Sequence, residues 1–238
     1  EFYIHNFPTH SARADRIKEL LQEKEKFSVE DFCRMQLDLL DKRAQKILPD
    51  LLEILNQSED KEVKFASKLL QNWDCHADID SAGACLYYPF LDRFWQRKHM
   101  HEILGDDFIK VLPLGAPGLN LFDISSFSNQ ESPWKQHEQS LKDLIHKEMR
   151  AIVDRVKLSL GDDSTKWRWG DLHKIEFWHS LRQQSTWRDL ALGPDEIGGS
   201  PTTLGMAMHI GKGPGRVEKD EIPYRVFHGP AYRLVVDL

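Results

Sequence analysis

Cysteine is scarce in this 238-residue chain: Cys33, Cys75 and Cys85 are the three. An odd count gives no paired disulfide framework. None stands in a C-x-x-C pair, so a zinc ribbon or thioredoxin-type motif is excluded. Buried thiols are the expectation, and a Cys75–Cys85 bridge stays open for an oxidising compartment. Long apolar runs are missing too. No stretch approaches the roughly 18 consecutive apolar residues of a membrane span. The opening EFYIHNFPTH has neither a basic n-region nor an apolar h-region and does not read as a signal peptide. Positive charge is in deficit, with 32 Lys and Arg against 38 Asp and Glu and a net charge of −6. That balance argues against a general nucleic-acid binder. Internal repeats and low-complexity segments are absent.

What is present is an ordinary globular mixture, 40% hydrophobic and 29% charged, in a chain long enough to bury a core. Ile17, Leu20 and Leu21 share one face of a helix over 12–22. Ser28 with Asp31 forms a capping-box pattern, and the helix it starts carries Phe32, Met35, Leu39 and Leu40 to about Ile47. Pro49 suits the first turn of a further helix with Leu51, Leu52 and Leu55. Another helix is predicted over Asp60–Asn72, and another over Ser81–Leu104, bent or interrupted at Pro89. Residues 105–131 read as irregular. Ser132-Pro133 marks a helix start. The stripe Leu141, Leu144, Ile145, Met149, Ile152, Val153, Val156 and Leu160 follows it. After Gly161 the texture turns β-like, with strands predicted at Lys174–Phe177, Thr203–Ile210 and Tyr232–Asp237. The expectation is an α+β chain, helical over 1–160 and carrying late strands over 161–238.

Local motifs yield no chemistry by themselves. Counting an EF-hand loop from Asp78 puts Ala82 fifth and Pro89 twelfth, where oxygen ligands are required. Capping and turn carboxylates account better for the stretch Asp74–Asp80. Gly211, Gly213 and Gly215 lack the Lys-Ser/Thr ending of a phosphate loop and fit a surface hairpin. His173 and His179 are six apart and have no third ligand nearby, so metal is the minority reading beside histidines bonded within an aromatic layer. No G-x-S-x-G elbow appears. Residue 1 is Glu, which gives the chain itself no N-terminal Ser, Thr or Cys nucleophile.

Four sets of stretches, in order, resemble one family. Arg13, Arg16 and Ile17 fit an R-x-x-R-I pattern, followed by Met35-Gln36-Leu37-Asp38 as L-Q-x-D. Leu70-Gln71-Asn72-Trp73-Asp74 with Asp80-Ser81 fits L-x-x-W-D…D-S. Trp169-Gly170-Asp171-Leu172-His173 fits W-G-x-L-H, with Phe177 and His179 after it. Gly198-Gly199-Ser200-Pro201-Thr202 fits G-G…T, and Gly229 to Asp237 fits G-x-S-Y-R-x-V-V-D with Ala231 replacing the usual serine. Together they resemble the C-terminal part of the β subunit of the penicillin acylase (penicillin amidase) family.

The resemblance implies an N-terminal nucleophile amidohydrolase of αββα fold. A precursor is cut into α and β subunits. The new N-terminal serine attacks an amide with its own α-amino group as base, and an asparagine and a backbone N–H stabilise the oxyanion. It implies small acylated amines as substrates, the remaining α and β segments of the same precursor as partners, a periplasmic or secreted location, and calcium in many members. No cofactor is expected within this chain. The nucleophile belongs upstream and a G-G-Q-S-G segment downstream, so the chain is expected to be an inactive fragment. Arg13 matches a family arginine that orients groups around the nucleophile. Asp38, Trp73, Asp74, Trp169, Gly170, His173 and Arg233 are expected to be structural. Within that set, Gly170 is expected at a tight turn, Trp169 in the core with Phe177, and His173 bonded to backbone. Arg233 is expected to leave a sheet face toward Asp237. The alternative is a non-catalytic binding or scaffold domain of the same architecture.

Overall fold

The structure, a computed structural model, describes residues 12–94, 137–177, 181, 192–211, 213, 223–230 and 233–236. Within them run α1 (Ala12–Gln22), α2 (Val29–Gln36), α3 (Lys42–Leu55), α4 (Lys61–Gln71), α5 (Ala84–Phe94), α6 (Glu138–Leu160) and the one-turn α7 (Trp169–Leu172). Four strands follow: β1 (His173–Phe177), β2 (Leu192–Glu196), β3 (Met208–Ile210) and β4 (Tyr224–His228). The described residues are helical in the first two thirds of the chain and carry the strands in the last third, as expected.

Side-chain caps set the helix starts. Ser28 and Asp31 close the capping box of α2, Asp41 caps α3 and Asp60 caps α4. Each satisfies backbone N–H groups that the first turn leaves without partners. The apolar stripe of α6 is buried from Leu141 to Val156. It packs against α3, α4 and α5. The core there gathers Ile47, Leu51, Leu55, Leu70, Leu86, Phe90, Ile145 and Ile152, all at most 1% exposed.

Several boundaries differ from the sequence reading, each for a physical reason. The helix starting at Ser28 ends at Gln36, and α3 begins afresh at Lys42 because Asp41 offers a stronger cap than a continued turn. Pro49 is inside α3, which passes through it because Leu48 and Leu51 on either side are buried. Helix α5 likewise runs through Pro89. It begins at Ala84, whose N–H donates to Ser81 Oγ at 3.1 Å. Its predicted extension to Leu104, the irregular 105–131 stretch and the Ser132-Pro133 start lie outside the described residues.

The sheet order is β2-β1-β4-β3. β1 is antiparallel to β2 and parallel to β4, and β3 is antiparallel to β4. β1 matches the predicted strand. Of Thr203–Ile210 only Met208–Ile210 is strand, because Thr203 Oγ1 accepts from the Ser200 N–H at 2.9 Å and holds a turn. Such side-chain bonds compete with a ladder. Residues 233–236 are not in a strand either. The Leu234 carbonyl accepts from the Gln36 side chain at 3.3 Å. Cys75 and Cys85 are free thiols.

Candidate functional site

Residues 37–41, between α2 and α3, and residues 198–206, after β2, fold onto each other. The Gly205 N–H donates to the Asp38 carbonyl at 2.8 Å, and the Gly199 N–H to the Ala77 carbonyl at 2.7 Å. A Cβ on Gly205 would lie 2.7 Å from Leu39 Cδ2 and 3.3 Å from the Asp38 and Leu37 carbonyls, so a larger residue would have to push Leu39 aside. Gly199 has φ +92°, in the left-handed region.

Asp41 is the centre of the junction and is 1% exposed. Its Oδ1 accepts from the N–H groups of Arg43 and Ala44 at 2.9 and 3.1 Å. Its Oδ2 accepts from Thr202 Oγ1 at 2.6 Å, Tyr88 Oη at 3.0 Å and Ser200 Oγ at 3.2 Å. Burial, and then the Asp41 charge, push the Tyr88 phenol well above its ordinary range. A serine so engaged is a donor to a carboxylate and not an activated nucleophile. The sequence reading missed Asp41. The signal that could have found it is the hydroxyl cluster Ser200, Thr202, Thr203, which needs an acceptor once buried.

On the flank of this junction α1 presents Arg13 and Arg16. Arg16 grips Asp38 bidentately, Nε to Oδ1 at 3.1 Å and Nη2 to Oδ2 at 2.8 Å. The pair is 16% and 13% exposed. The Asp38 hydrogen bond raises the Arg16 guanidinium further above its usual pKa. Asp38 Oδ1 also accepts from the Leu40 N–H at 3.2 Å. Arg13 is exposed, with Nη1 3.1 Å from Met206 Sδ.

Arg233 is not on a sheet face as the sequence suggested. It is exposed and lines an apolar cavity of about 570 Å³ with Ile17, Leu20, Phe32, Met35 and Leu204. Its expected partner Asp237 lies outside the described residues.

The other sites sit apart from Arg13. Trp73 packs against Tyr87 and Tyr88 with ring centroids 5.1 and 6.1 Å away, and its Nε1 donates to the His76 carbonyl. Asp74 accepts from the His76 N–H at 3.0 Å, a turn bond. Asp80 pairs with Arg168, which also grips Glu196. With Asp74 and Asp80 so engaged, the acidic stretch assembles no metal set, and no group of three ligating side chains converges among the described residues.

Trp169 is buried, and its Nε1 donates to the Gly199 carbonyl at 3.3 Å. Gly170 serves close approach and not a left-handed turn. It sits inside α7, where a Cβ would lie 3.1 Å from Glu196 and 3.2 Å from Ile79. His173 is fully buried and stacked on Trp169 at 4.6 Å, with Nδ1 2.7 Å from the Ile197 carbonyl. Burial, and then the neighbouring His209, hold its pKa down to about 3. His209 went unnoticed in the sequence. Its Nε2 lies 3.2 Å from Asp92 Oδ2, and its ring meets that of His173 at 5.0 Å. Phe177 is 59% exposed, not in the core. It ends β1 beyond a register shift. His179 lies outside the described residues.

Helices packed onto a mixed sheet, joined by a polar seam and flanked by an exposed arginine, define an α+β arrangement among the described residues. The Penicillin amidase family model matches residues 1–238, the whole chain. The chain belongs to the penicillin amidase family, which points to an amidohydrolase. No helix among the described residues is long and apolar enough to cross a membrane.

Proposed function

We propose that this chain works within an N-terminal nucleophile amidohydrolase that cleaves a linear acyl–amine bond, with the attacking serine carried on another segment of the same precursor. The observation that carries the reading is the family match over residues 1–238, which includes every stretch quoted for the resemblance. In this reading Arg13 orients the polar groups around the serine. A guanidinium suits that task because it stays charged and presents a fixed fork of donors. Asp41, Ser200 and Thr202 hold the seam beneath it. The substrate is a small acylated amine, the partners are the remaining α and β segments, and the enzyme is periplasmic or secreted. Calcium, if the enzyme takes it, is held by other segments.

The test is expression of the full precursor beside the 238-residue chain alone, each assayed against acyl-p-nitroanilides. The precursor is expected to be cut to a serine-led β subunit and to turn over. The chain alone is expected to be inactive, and Ser→Ala at the new N-terminus is expected to abolish activity. Hydrolysis by the chain alone, or by the alanine variant, refutes the reading. A precursor that folds, is not processed and hydrolyses nothing supports the scaffold alternative.

A further inference from the structure

We propose that Asp38 is a positioning residue for Arg13: it fixes both the helix that carries Arg13 and the loop on which Arg13 rests. The proposal depends on the function above only for what Arg13 does, not for how it is held.

The geometry is a closed frame. Through its side chain Asp38 clamps Arg16, three residues after Arg13 on α1, by two bonds of 3.1 and 2.8 Å. Residues three apart on a helix are neighbours on its surface, so fixing Arg16 fixes the azimuth of Arg13. Through its main chain the same residue accepts the Gly205 N–H at 2.8 Å. The next residue, Met206, supplies the sulfur 3.1 Å from Arg13 Nη1. A thioether is a weak acceptor and cannot direct an exposed guanidinium alone. The direction of Arg13 therefore comes from the frame and not from its last contact.

A second tie holds α1 in the same sense. Glu19 takes Lys42 at 2.7 Å and Arg16 at 3.3 Å. Lys42 opens α3, immediately after the Asp38–Asp41 link. The Asp38–Arg16 pair is the less exposed of the two ties, and a bidentate carboxylate–guanidinium contact specifies orientation as well as distance.

The test uses the full precursor labelled with [13C-methyl]methionine. The chain has five methionines, and loss of one signal in Met206→Leu identifies Met206. Arg13→Ala gives the signal of an uncontacted sulfur. Asp38→Asn and Arg16→Gln are expected to move the Met206 methyl signal toward that position while melting stays cooperative. Arg34→Ala, which removes the exposed arginine paired with the buried Asp31, leaves it in place. The reversed pair, Arg16→Asp with Asp38→Arg, is expected to bring the signal back. In turnover of an acyl-p-nitroanilide, Asp38→Asn is expected to lower kcat by roughly ten- to a hundredfold, the penalty of about 1 Å of misplacement. KM changes less than about twofold and Asp38→Glu recovers part of kcat.

An unmoved Met206 signal in a folded Asp38→Asn or Arg16→Gln variant overturns the proposal, as does an unmoved signal in Arg13→Ala. Should Asp38→Asn fail to fold, Arg16→Gln decides, since Asp38 keeps its bonds to Leu40 and Gly205. A wild-type precursor without turnover sinks the functional reading alone, because the methyl signal still reports whether Asp38 places Arg13.

Discussion

Replacing Asp41 by alanine is expected to cost more stability than most single substitutions in this protein. The carboxylate is 1% exposed and accepts five hydrogen bonds. Losing the α3 cap costs about 1 kcal/mol. The three hydroxyls lose bonds to a charged group, each of about 1.5–3 kcal/mol. Part of that returns, because Ser200 and Thr202 lie 3.0 Å apart and can pair. Tyr88 is 4% exposed and loses the carboxylate, with Ser200 left as a neutral partner for its hydroxyl. With each bond at the low end, about 5.5 kcal/mol in all, and about 1.5 kcal/mol returned by the Ser200–Thr202 pair, the net loss is about 4 kcal/mol, beyond the usual 0.5–3 kcal/mol of a point change. For a chain of this size that lowers Tm by about 8–16 °C. Asp41→Asn keeps one oxygen for the cap and is expected to lose about half as much, since an amide oxygen carries no charge. Thermal melts followed by far-UV circular dichroism measure both. An Asp41→Ala protein melting within about 2 °C of wild type would refute the idea that this carboxylate binds the two halves, given how its bonds sum.

His173 should make stability fall in mild acid. Its folded pKa is held to about 3, below an unfolded value of about 6.5. The neutral ring's contribution is thus complete above about 6.5 and lost as pH falls toward 3, since the unfolded chain takes a proton that the folded one refuses. At pH 5 the loss is about 2 kcal/mol, so His173→Gln should narrow the gap between urea midpoints at pH 7.5 and 5. Equal gaps in the two proteins would count against it. At Gly83 an added Cβ would lie 2.3 Å from Trp73 Cγ. Gly83→Ala is expected to lose about 2–3 kcal/mol through overpacking, with a blue-shifted or weakened tryptophan near-UV band. An unchanged melt would mean that Trp73 can move aside.

Local signals carried the helices, and long-range ones hid the site. Ser28, Asp31 and the α6 stripe act within one or two turns, so their spacing alone reveals them. Pro49 misled because propensity is a weak prior, and burial of Leu48 and Leu51 overrides it. β2 carries Gly193 and Pro194 in a five-residue strand, the residues that ordinarily argue against one. β4 has only Tyr224 and Val226 facing inward, too short a pattern to register. Asp38 stood in a recognisable motif, yet its partner Arg16 lies 22 residues away, and no periodicity joins the two. His209 showed nothing in sequence because its meaning comes from β3 lying beside β4 and from Asp92 on α5.

The separation of 161 residues between Asp41 and Thr202 has a consequence for synthesis. At about 5–20 residues per second, Asp41 leaves the ribosome roughly 8–32 s before the hydroxyl that will cover it. During that interval α1 to α5 can form, the α3 cap can close and Tyr88 can reach Oδ2, but the Ser200 and Thr202 hydroxyls are still to come and water takes their place. A hydrated carboxylate then stands where the helical layer will meet the sheet, and it keeps that surface from sealing against anything that lacks donors. The 198–206 loop arrives as the matching plug, and dehydration of Asp41 waits for it. That one oxygen atom favours the loop that brings the Ser200 and Thr202 hydroxyls and disfavours apolar surfaces that reach it first.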